Sequence, residues 1–215
     1  VNRDKQSSIN KYLDSIKNGS SSSIYLQVTG TPQAILLQTM ASGWHPYFTY
    51  YFQPGESYLG GDFFFPVSGK GSSIKYLDEV ENPAKAVVLR HIAVSAQILA
   101  SGKKVSNCLI HPSVRQSVHQ KYADDITHEL AWCIEHRNDD FTEDIKQEYE
   151  NISPSKTEKV GLDVFIQKAY ELLDKKEIKV LVMNGKTDID SDEYAMGCNF
   201  VIGGNTLGRG VTFPG

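Results

Sequence analysis

The stretch that decides the fold is Asn199-Phe-Val-Ile-Gly-Gly-Asn-Thr-Leu-Gly-Arg-Gly-Val-Thr-Phe-Pro-Gly215, at the end of the chain. Residues 200–202 are apolar and predict the end of a strand that is buried on both faces. Glycines then frame Asn205, Thr206 and Arg209, and glycines at this density let backbone amides approach a ligand closely. A carboxamide, a hydroxyl and a guanidinium in such a setting suit phosphate. The alternative is a glycine-rich turn that only closes a strand. The spacing fits neither G-x-G-x-x-G nor G-x-x-x-x-G-K-[ST].

Helical and strand periods alternate through the residues before this stretch. Between residues 83 and 101, apolar side chains surround much of a predicted helix, and Gly102 is a suitable residue to end it. Residues 105–110 and 178–183 are predicted to be strands, and the second of them contains an apolar run. Two further helices are predicted, over residues 114–136 and 160–175. The sequence therefore predicts an α/β fold with a mainly parallel sheet.

The first 82 residues have a different character. Residues 6–17 place apolar side chains on one helical face, and residues 24–28 predict a strand. Residues 43–82 are rich in aromatic side chains and glycine and could stack unpaired bases. Because this segment has no cation before Lys70, a linker whose aromatic residues pack between two domains is favoured. The predicted organisation is a first domain ending near residue 42, a linker over 43–82 and a second domain over 83–215.

A polar turn follows each of the four main predicted strands. In open parallel sheets, ligands collect beyond the carboxyl ends of the strands, so these turns fall where a binding site is expected. The turns are Thr29-Gly30-Thr31, His111-Pro112-Ser113, Asn184-Gly185-Lys186 and Gly204-Asn205-Thr206. The candidate nucleotide- or nucleic-acid-binding residues are Thr29, Gly30, Thr31, His111, Ser113, Gly204, Asn205, Thr206, Arg209 and Gly210. Structural alternatives stay open, with Thr31 and Ser113 as helix caps and His111 as a hydrogen-bonded turn residue.

Residues 138–158 form an acidic segment inside the predicted second domain. Its carboxylates are scattered among lysine and glutamine, without the spacing of a calcium-binding loop. The segment includes Asp139, Asp140, Glu143, Asp144, Glu148 and Glu150. A solvated helical insertion is therefore predicted rather than a metal site.

Composition bounds the class of protein. The net charge of -4 over 215 residues argues against a dedicated nucleic-acid-binding module, which is usually basic. A local phosphate-binding groove on an acidic body is still compatible with it. The three cysteines are far apart, which predicts reduced thiols in an intracellular compartment and no zinc site. No apolar run approaches the length of about 18 residues that a membrane span needs, so a cytoplasmic protein is expected. Because the chain lacks an initiator methionine and stops just after its glycine-rich turn, we expect a fragment of a longer protein.

Three motifs resemble those of superfamily two helicases. Gly203-Gly-Asn-Thr-Leu-Gly-Arg-Gly-Val-Thr212 is similar to motif V, and its wording is similar to that of the Z1 (Z-one) domain family. That family consists of helicase-like proteins that accompany bacterial restriction-modification systems. Val28-Thr-Gly-Thr-Pro32 resembles motif III of a first RecA-like domain, and Cys108-Leu-Ile-His-Pro-Ser113 resembles motif IV of a second one. The motifs occur in the expected order.

The resemblance implies an intact protein that hydrolyses ATP with Mg²⁺ between two RecA-like domains and moves on or remodels DNA. Thr29 and Thr31 would couple the state of the ATP to DNA contact. The second domain's side of the cleft would be formed by Gly204, Asn205, Thr206, Arg209 and Gly210. Phosphoryl transfer also needs a phosphate-binding lysine loop and carboxylates that hold Mg²⁺. Neither is in this chain, so no catalytic residue or metal ligand is assigned, and the chain alone is expected to be inactive.

Two functions are compatible with these observations. In the first, the chain is part of a DNA-dependent ATPase of a restriction-modification or phage-defence system, with DNA and restriction-modification subunits as partners. In the second, it is a non-catalytic RecA-like scaffold that assembles with a nuclease or methylase. An independent small-molecule enzyme is a weaker hypothesis because no acid/base pair stands out.

Overall fold

The computed structural model describes residues 8–22, 24, 26–30, 47–53, 55–56, 58, 60–64, 77, 80–152, 158–175, 177–184, 189–205, 207 and 213–214. The chain divides into two compact units, residues 1–68 and residues 69–215. None of the helices in the described ranges is long and apolar enough to cross a membrane.

Among its described residues, the first unit contains the helices α1 (Ser8–Asn18) and α2 (Gly61–Phe64). The helix predicted over residues 6–17 is confirmed by α1. The strand predicted at residues 24–28 is wrong for the residues that the structure describes there, since Ile24 and residues 26–28 are exposed and lie in no strand. Apolar side chains stabilise a strand only where it pairs with a neighbouring strand or packs on a core, and the described side chains of this segment are exposed.

The second unit contains the α/β fold. Its elements are α3 (Pro83–Ala100), β1 (Val105–Ile110), α4 (Gln116–Glu135), α5 (Asp140–Asn151), α6 (Leu162–Asp174), β2 (Ile178–Met183), a 3₁₀ turn (Ser191–Tyr194) and β3 (Gly197–Gly203). The helices predicted over residues 83–101, 114–136 and 160–175 and the strands predicted over residues 105–110 and 178–183 are confirmed within two residues at either end. The last strand begins before the predicted residue 200, and the helix of the acidic segment is shorter than the predicted range 138–158.

Helix α3 has clear start and stop signals. The Asn82 side chain accepts a hydrogen bond from the backbone N–H of Lys85 at 3.0 Å, and Pro83 occupies the first helical position. A proline loses nothing there because that N–H has no partner inside the helix. The helix ends at Ala100, and Gly102 follows with a φ of 90°. This left-handed conformation favours glycine, as the sequence predicted.

The three strands form a small, open, parallel sheet with β3 in the middle. Ile110 of β1 pairs with Ile202, and Met183 of β2 pairs with Gly203. The carboxyl ends of all three strands therefore lie at one edge of the sheet. The mainly parallel α/β arrangement that the sequence predicted is confirmed in this form.

Alternate residues of β3 face two different cores. Phe200 belongs to the main core, which contains buried side chains of α3, α4, α5 and α6. Val201 faces the other way, into a smaller cluster with Met183 and Tyr194. Since Phe200, Val201 and Ile202 are all fully buried, the prediction of a strand end that is buried on both faces is confirmed.

The acidic segment contributes buried side chains to the main core. Helix α5 buries Phe141 and Ile145 completely, so the prediction of a solvated helix holds for only one of its faces. Asp140, Glu143 and Glu150 are exposed, whereas Asp144 and Glu148 face α3, where they pair with Lys85 at 2.8 Å and with Arg90 at 2.9 Å. Phe141 and Ile145 are four residues apart and therefore share one helical face.

Candidate functional site

The carboxyl edge of the sheet brings together three polar turns that are far apart in the sequence. The turn at residues 111–113 follows β1, Asn184 follows β2, and Gly204 and Asn205 follow β3. Because β3 lies between the other two strands, its glycine-rich turn has a neighbour on either side. This is the edge at which ligands collect in open parallel sheets.

Two consecutive glycines allow the end of β3 to approach these neighbours closely. A Cβ atom on Gly203 would lie 2.5 Å from the Met183 carbonyl oxygen and 3.0 Å from Cγ of Leu207. A Cβ atom on Gly204 would lie 3.3 Å from the Ser113 carbonyl oxygen. Both positions are therefore crowded by backbone of the neighbouring strand ends, which explains the Gly-Gly pair in the sequence.

His119 lies at the centre of this arrangement, and the sequence reasoning missed it. It belongs to the first turns of α4, and only 2% of its surface is exposed. Its Nε2 lies 2.7 Å from the Ser113 carbonyl oxygen, and its Cε1 lies 3.3 Å from the place where a Gly204 Cβ would stand. Its position four residues before Ala123, on the buried face of an amphipathic helix, was the available signal.

The first amides of α4 also lie at this edge. The helix begins after Arg115, whose side chain makes no capping hydrogen bond. The prediction that Ser113 caps this helix is wrong, because the Ser113 hydroxyl oxygen accepts instead from the N–H of Arg115, at 3.2 Å. A helix start without a side-chain cap leaves N–H groups that can serve an anion.

Arg115 supplies a cation beside these amides. Its side chain is exposed, and it forms no ion pair with any residue that the structure describes. The sequence reasoning did not single it out, because an arginine after a His-Pro-Ser turn is not distinctive on its own. Because Arg115 follows the turn after β1, its guanidinium is available to a phosphate at the carboxyl edge.

The described residues after β3 contact other parts of the second unit. Leu207 packs against the smaller core, and its N–H donates to the Gly204 carbonyl oxygen at 3.0 Å. Further on, the Phe213 ring lies 4.9 Å from that of Tyr194. The Asn107 side-chain amide donates to the Pro214 carbonyl oxygen at 2.5 Å.

The sequence-predicted site residues fall into three groups. His111, Ser113, Gly204 and Asn205 lie at the carboxyl edge; His111 and Asn205 are exposed, whereas Gly204 is buried. Thr29 and Gly30 are exposed and belong to the first unit. The remaining four, Thr31, Thr206, Arg209 and Gly210, lie outside the described residues.

Burial leaves three titratable side chains of the sheet region, His91, Cys108 and Cys198, uncharged at neutral pH. Burial lowers the pKa of His91 to about 4, although its Nε2–H donates to the Asn199 carbonyl oxygen at 3.1 Å. Burial raises the pKa of Cys108 to about 11 and that of Cys198 to about 12. All three cysteines are free thiols. The charge available to a ligand at this edge therefore comes from groups outside the sheet interior, such as Arg115.

A concave surface lies away from the sheet edge, along α6. It is an open groove of about 390 Å³ whose lining includes Asp163, Glu171 and Asp174. Carboxylates at this density repel an anion. Among the described residues, no group of three or more His, Cys, Asp or Glu side chains could hold a metal ion. The carboxyl edge is therefore the better candidate for binding a phosphate.

Comparison with known proteins gives one match. The family model described as the Z1 domain matches residues 84–215, which is more than half of the chain. No curated protein and no solved structure matches it. The matched range contains all three strands and the whole carboxyl edge.

Proposed function

The chain belongs to the Z1 domain family, and we propose that its carboxyl sheet edge binds phosphate groups of DNA. In this proposal, residues 83–215 are the second RecA-like domain of a helicase-like, DNA-dependent ATPase. The parent protein would serve a restriction-modification or phage-defence system. The observation that carries the proposal is the convergence of the β1 and β3 turns, where Gly204 packs against the Ser113 carbonyl and His119.

The chemistry of the edge favours an anion. The amino end of α4 carries a partial positive charge of about half a unit. Because no side chain caps it, its first N–H groups are free to face a ligand. Arg115 adds a full positive charge and can hold a phosphate through two parallel hydrogen bonds. The Ser113 hydroxyl, which accepts from Arg115, still has its own hydrogen to donate.

The motif resemblance supplies the identity of the phosphate. The segment similar to motif IV begins within β1, and the segment similar to motif V begins at Gly203, the last residue of β3; these two strands are neighbours in the sheet. Motifs that act together on one ligand are expected to meet in this way. The first unit contributes Thr29 and Gly30 to the proposal only through the resemblance.

ATP and Mg²⁺ belong to the intact protein in this proposal. The edge offers N–H donors, a hydroxyl and a guanidinium, which fit the phosphates of ATP as well as those of DNA. They do not fit Mg²⁺, which needs carboxylate and other oxygen ligands. We therefore assign phosphate contacts to this chain and derive no hydrolytic step from it.

The proposal is tested by DNA binding as a function of salt concentration. Fluorescence anisotropy with a labelled duplex gives the dissociation constant, expected near 10⁻⁴ to 10⁻⁶ M at physiological salt for non-specific binding, as an order-of-magnitude estimate. Arg115→Ala should weaken binding and lower the slope of log K against log salt by about 0.9, the value for one phosphate contact. Arg209→Ala should act in the same direction.

The matched control is Lys104→Ala. Lys104 is exposed and precedes β1, and its carbonyl oxygen accepts from Gly197 N–H at 2.9 Å, which places it at the opposite edge of the sheet. Its removal should leave the salt slope unchanged. Equal slopes for Arg115→Ala and Lys104→Ala would refute the assignment of the edge. A wild-type chain that binds no DNA would instead favour the non-catalytic scaffold.

A further inference from the structure

Within the described part of the chain, one ring nitrogen of His119 is hydrogen-bonded and the other is not. A carbonyl oxygen only accepts, so the Nε2 atom that lies 2.7 Å from the Ser113 oxygen carries a hydrogen and donates it. In the neutral ring, Nδ1 is then a bare acceptor. That atom is buried and has no hydrogen-bond partner among the residues that the structure describes. A buried acceptor without a partner costs free energy, so an unsatisfied group of this kind calls for a reason.

The other contacts of the His119 ring lie within the proposed phosphate site. His119 joins three parts of the proposed phosphate site: it lies on α4, its Nε2–H holds the turn after β1 through Ser113, and its edge supports the turn after β3 at Gly204. Arg115, which lies between the two hydrogen-bonded residues, directly precedes the helix. The direction of the first α4 amides therefore depends on where the Ser113 carbonyl is held.

We propose that His119 is a positioning residue of the phosphate site. Its Nε2–H fixes the turn after β1, and its ring sets the distance between that turn and Gly204. The α4 amides, Arg115 and the β3 turn are thereby aimed at one phosphate group. The proposal rests on the proposed function, since it assumes that this edge binds phosphate.

The test uses two substitutions that separate the donor from the ring. His119→Gln keeps an N–H donor close to the position of Nε2 and removes the unpartnered Nδ1 acceptor. His119→Leu keeps an apolar side chain and removes the donor. In the labelled-duplex assay, we expect His119→Leu to raise the dissociation constant about 3- to 10-fold, the equivalent of one net hydrogen bond. We expect His119→Gln to stay within about twofold of the wild type.

The fraction of active protein distinguishes a positioning role from a purely structural one. Titration of the duplex at concentrations far above the dissociation constant gives that fraction independently of affinity. A positioning role raises the dissociation constant at an unchanged active fraction, whereas partial unfolding lowers the active fraction. The matched control is His128→Leu, because His128 is exposed on the same helix.

A second variant covers the case in which His119→Leu does not fold. Gly204→Ala places a methyl group 3.3 Å from both the ring and the Ser113 carbonyl oxygen, so it pushes the two turns apart. We expect at least a threefold loss of affinity. Wild-type affinity in this variant, or in His119→Leu, would overturn the proposal. A His119→Gln variant as weak as His119→Leu would also overturn it, since the donor would then be irrelevant.

Failure of the inference and failure of the proposed function give different results. If the wild type binds DNA and the His119 variants bind equally well, only the positioning role is wrong. If the wild type binds no DNA, the phosphate site itself is wrong and the inference falls with it.

Discussion

The substitution Gly203→Ala tests the packing of the sheet edge most severely. The added Cβ would lie 2.5 Å from the Met183 carbonyl oxygen, whereas ordinary van der Waals contact begins at 3.4 Å. The ends of β2 and β3 would therefore have to separate by about 0.9 Å. Leu207, whose Cγ would lie at 3.0 Å, can turn its side chain away, but the Met183 oxygen belongs to the backbone of a paired strand.

The expected cost follows from this geometry. Inserting a methyl group into a packed site costs about 1–3 kcal/mol. For a protein of this size, each kcal/mol lowers Tm by about 2–4 °C. We therefore expect Gly203→Ala to lower the free energy of unfolding by about 2 kcal/mol and Tm by roughly 4–8 °C. Urea denaturation followed by circular dichroism measures the first quantity, and a thermal scan measures the second.

The control for this experiment is Gly61→Ala. A Cβ atom at Gly61 meets nothing within 4 Å, and the residue begins a helix, where alanine is well tolerated. Its effect should lie within about 0.5 kcal/mol of zero. A Gly203→Ala variant as stable as this control would refute the claim that the end of β3 is packed tightly against β2.

Three further predictions concern the core. His91 has a folded pKa of about 4 against an ordinary 6.5, so the unfolded state binds the extra proton and stability should fall as the pH drops from about 6.5 to about 4. The total is roughly 3 kcal/mol, and urea denaturation across this range should give a flatter profile for His91→Gln but not for His128→Gln. Phe141→Ala should cost about 3–5 kcal/mol in urea denaturation because the side chain is fully buried; a cost like that of the exposed Ile134→Ala would mean that α5 does not build the core. Burial raises the pKa of the Cys198 thiol to about 12, so thiol reagents at neutral pH should modify it slowly in the folded chain and rapidly in urea, and equal rates would contradict its burial.

Local pattern was enough to predict most of the second unit. The helix over residues 83–100 has a proline at its start and a glycine just past its end, and both signals act within a few residues. The run at residues 200–202 is apolar because both faces of β3 are covered. Such features are written into neighbouring residues, so the sequence contains them directly.

What could not be predicted depends on contacts between distant residues. Nothing in the sequence indicates that β3 lies between β1 and β2, and the roles of His119 and Gly204 depend on that order. The many carboxylates of α5 led to the prediction of a solvated helix, although Phe141 and Ile145 share a buried face. Counting carboxylates ignores which side of the helix they occupy. The segment at residues 24–28 had strand-like alternation, but alternation cannot supply a pairing partner.

The most direct test of the central claim is a map of backbone amide resonances during titration of the chain with a short DNA duplex. If the carboxyl edge binds phosphate, the amides of Ser117, Gly204 and Asn205 should shift, because they lie at the start of α4 and in the turn after β3. The amides of Lys104 and Gly197, at the opposite edge of the sheet, should stay in place. Shifts confined to that opposite edge, or no shifts in the second unit while DNA binds, would contradict the account.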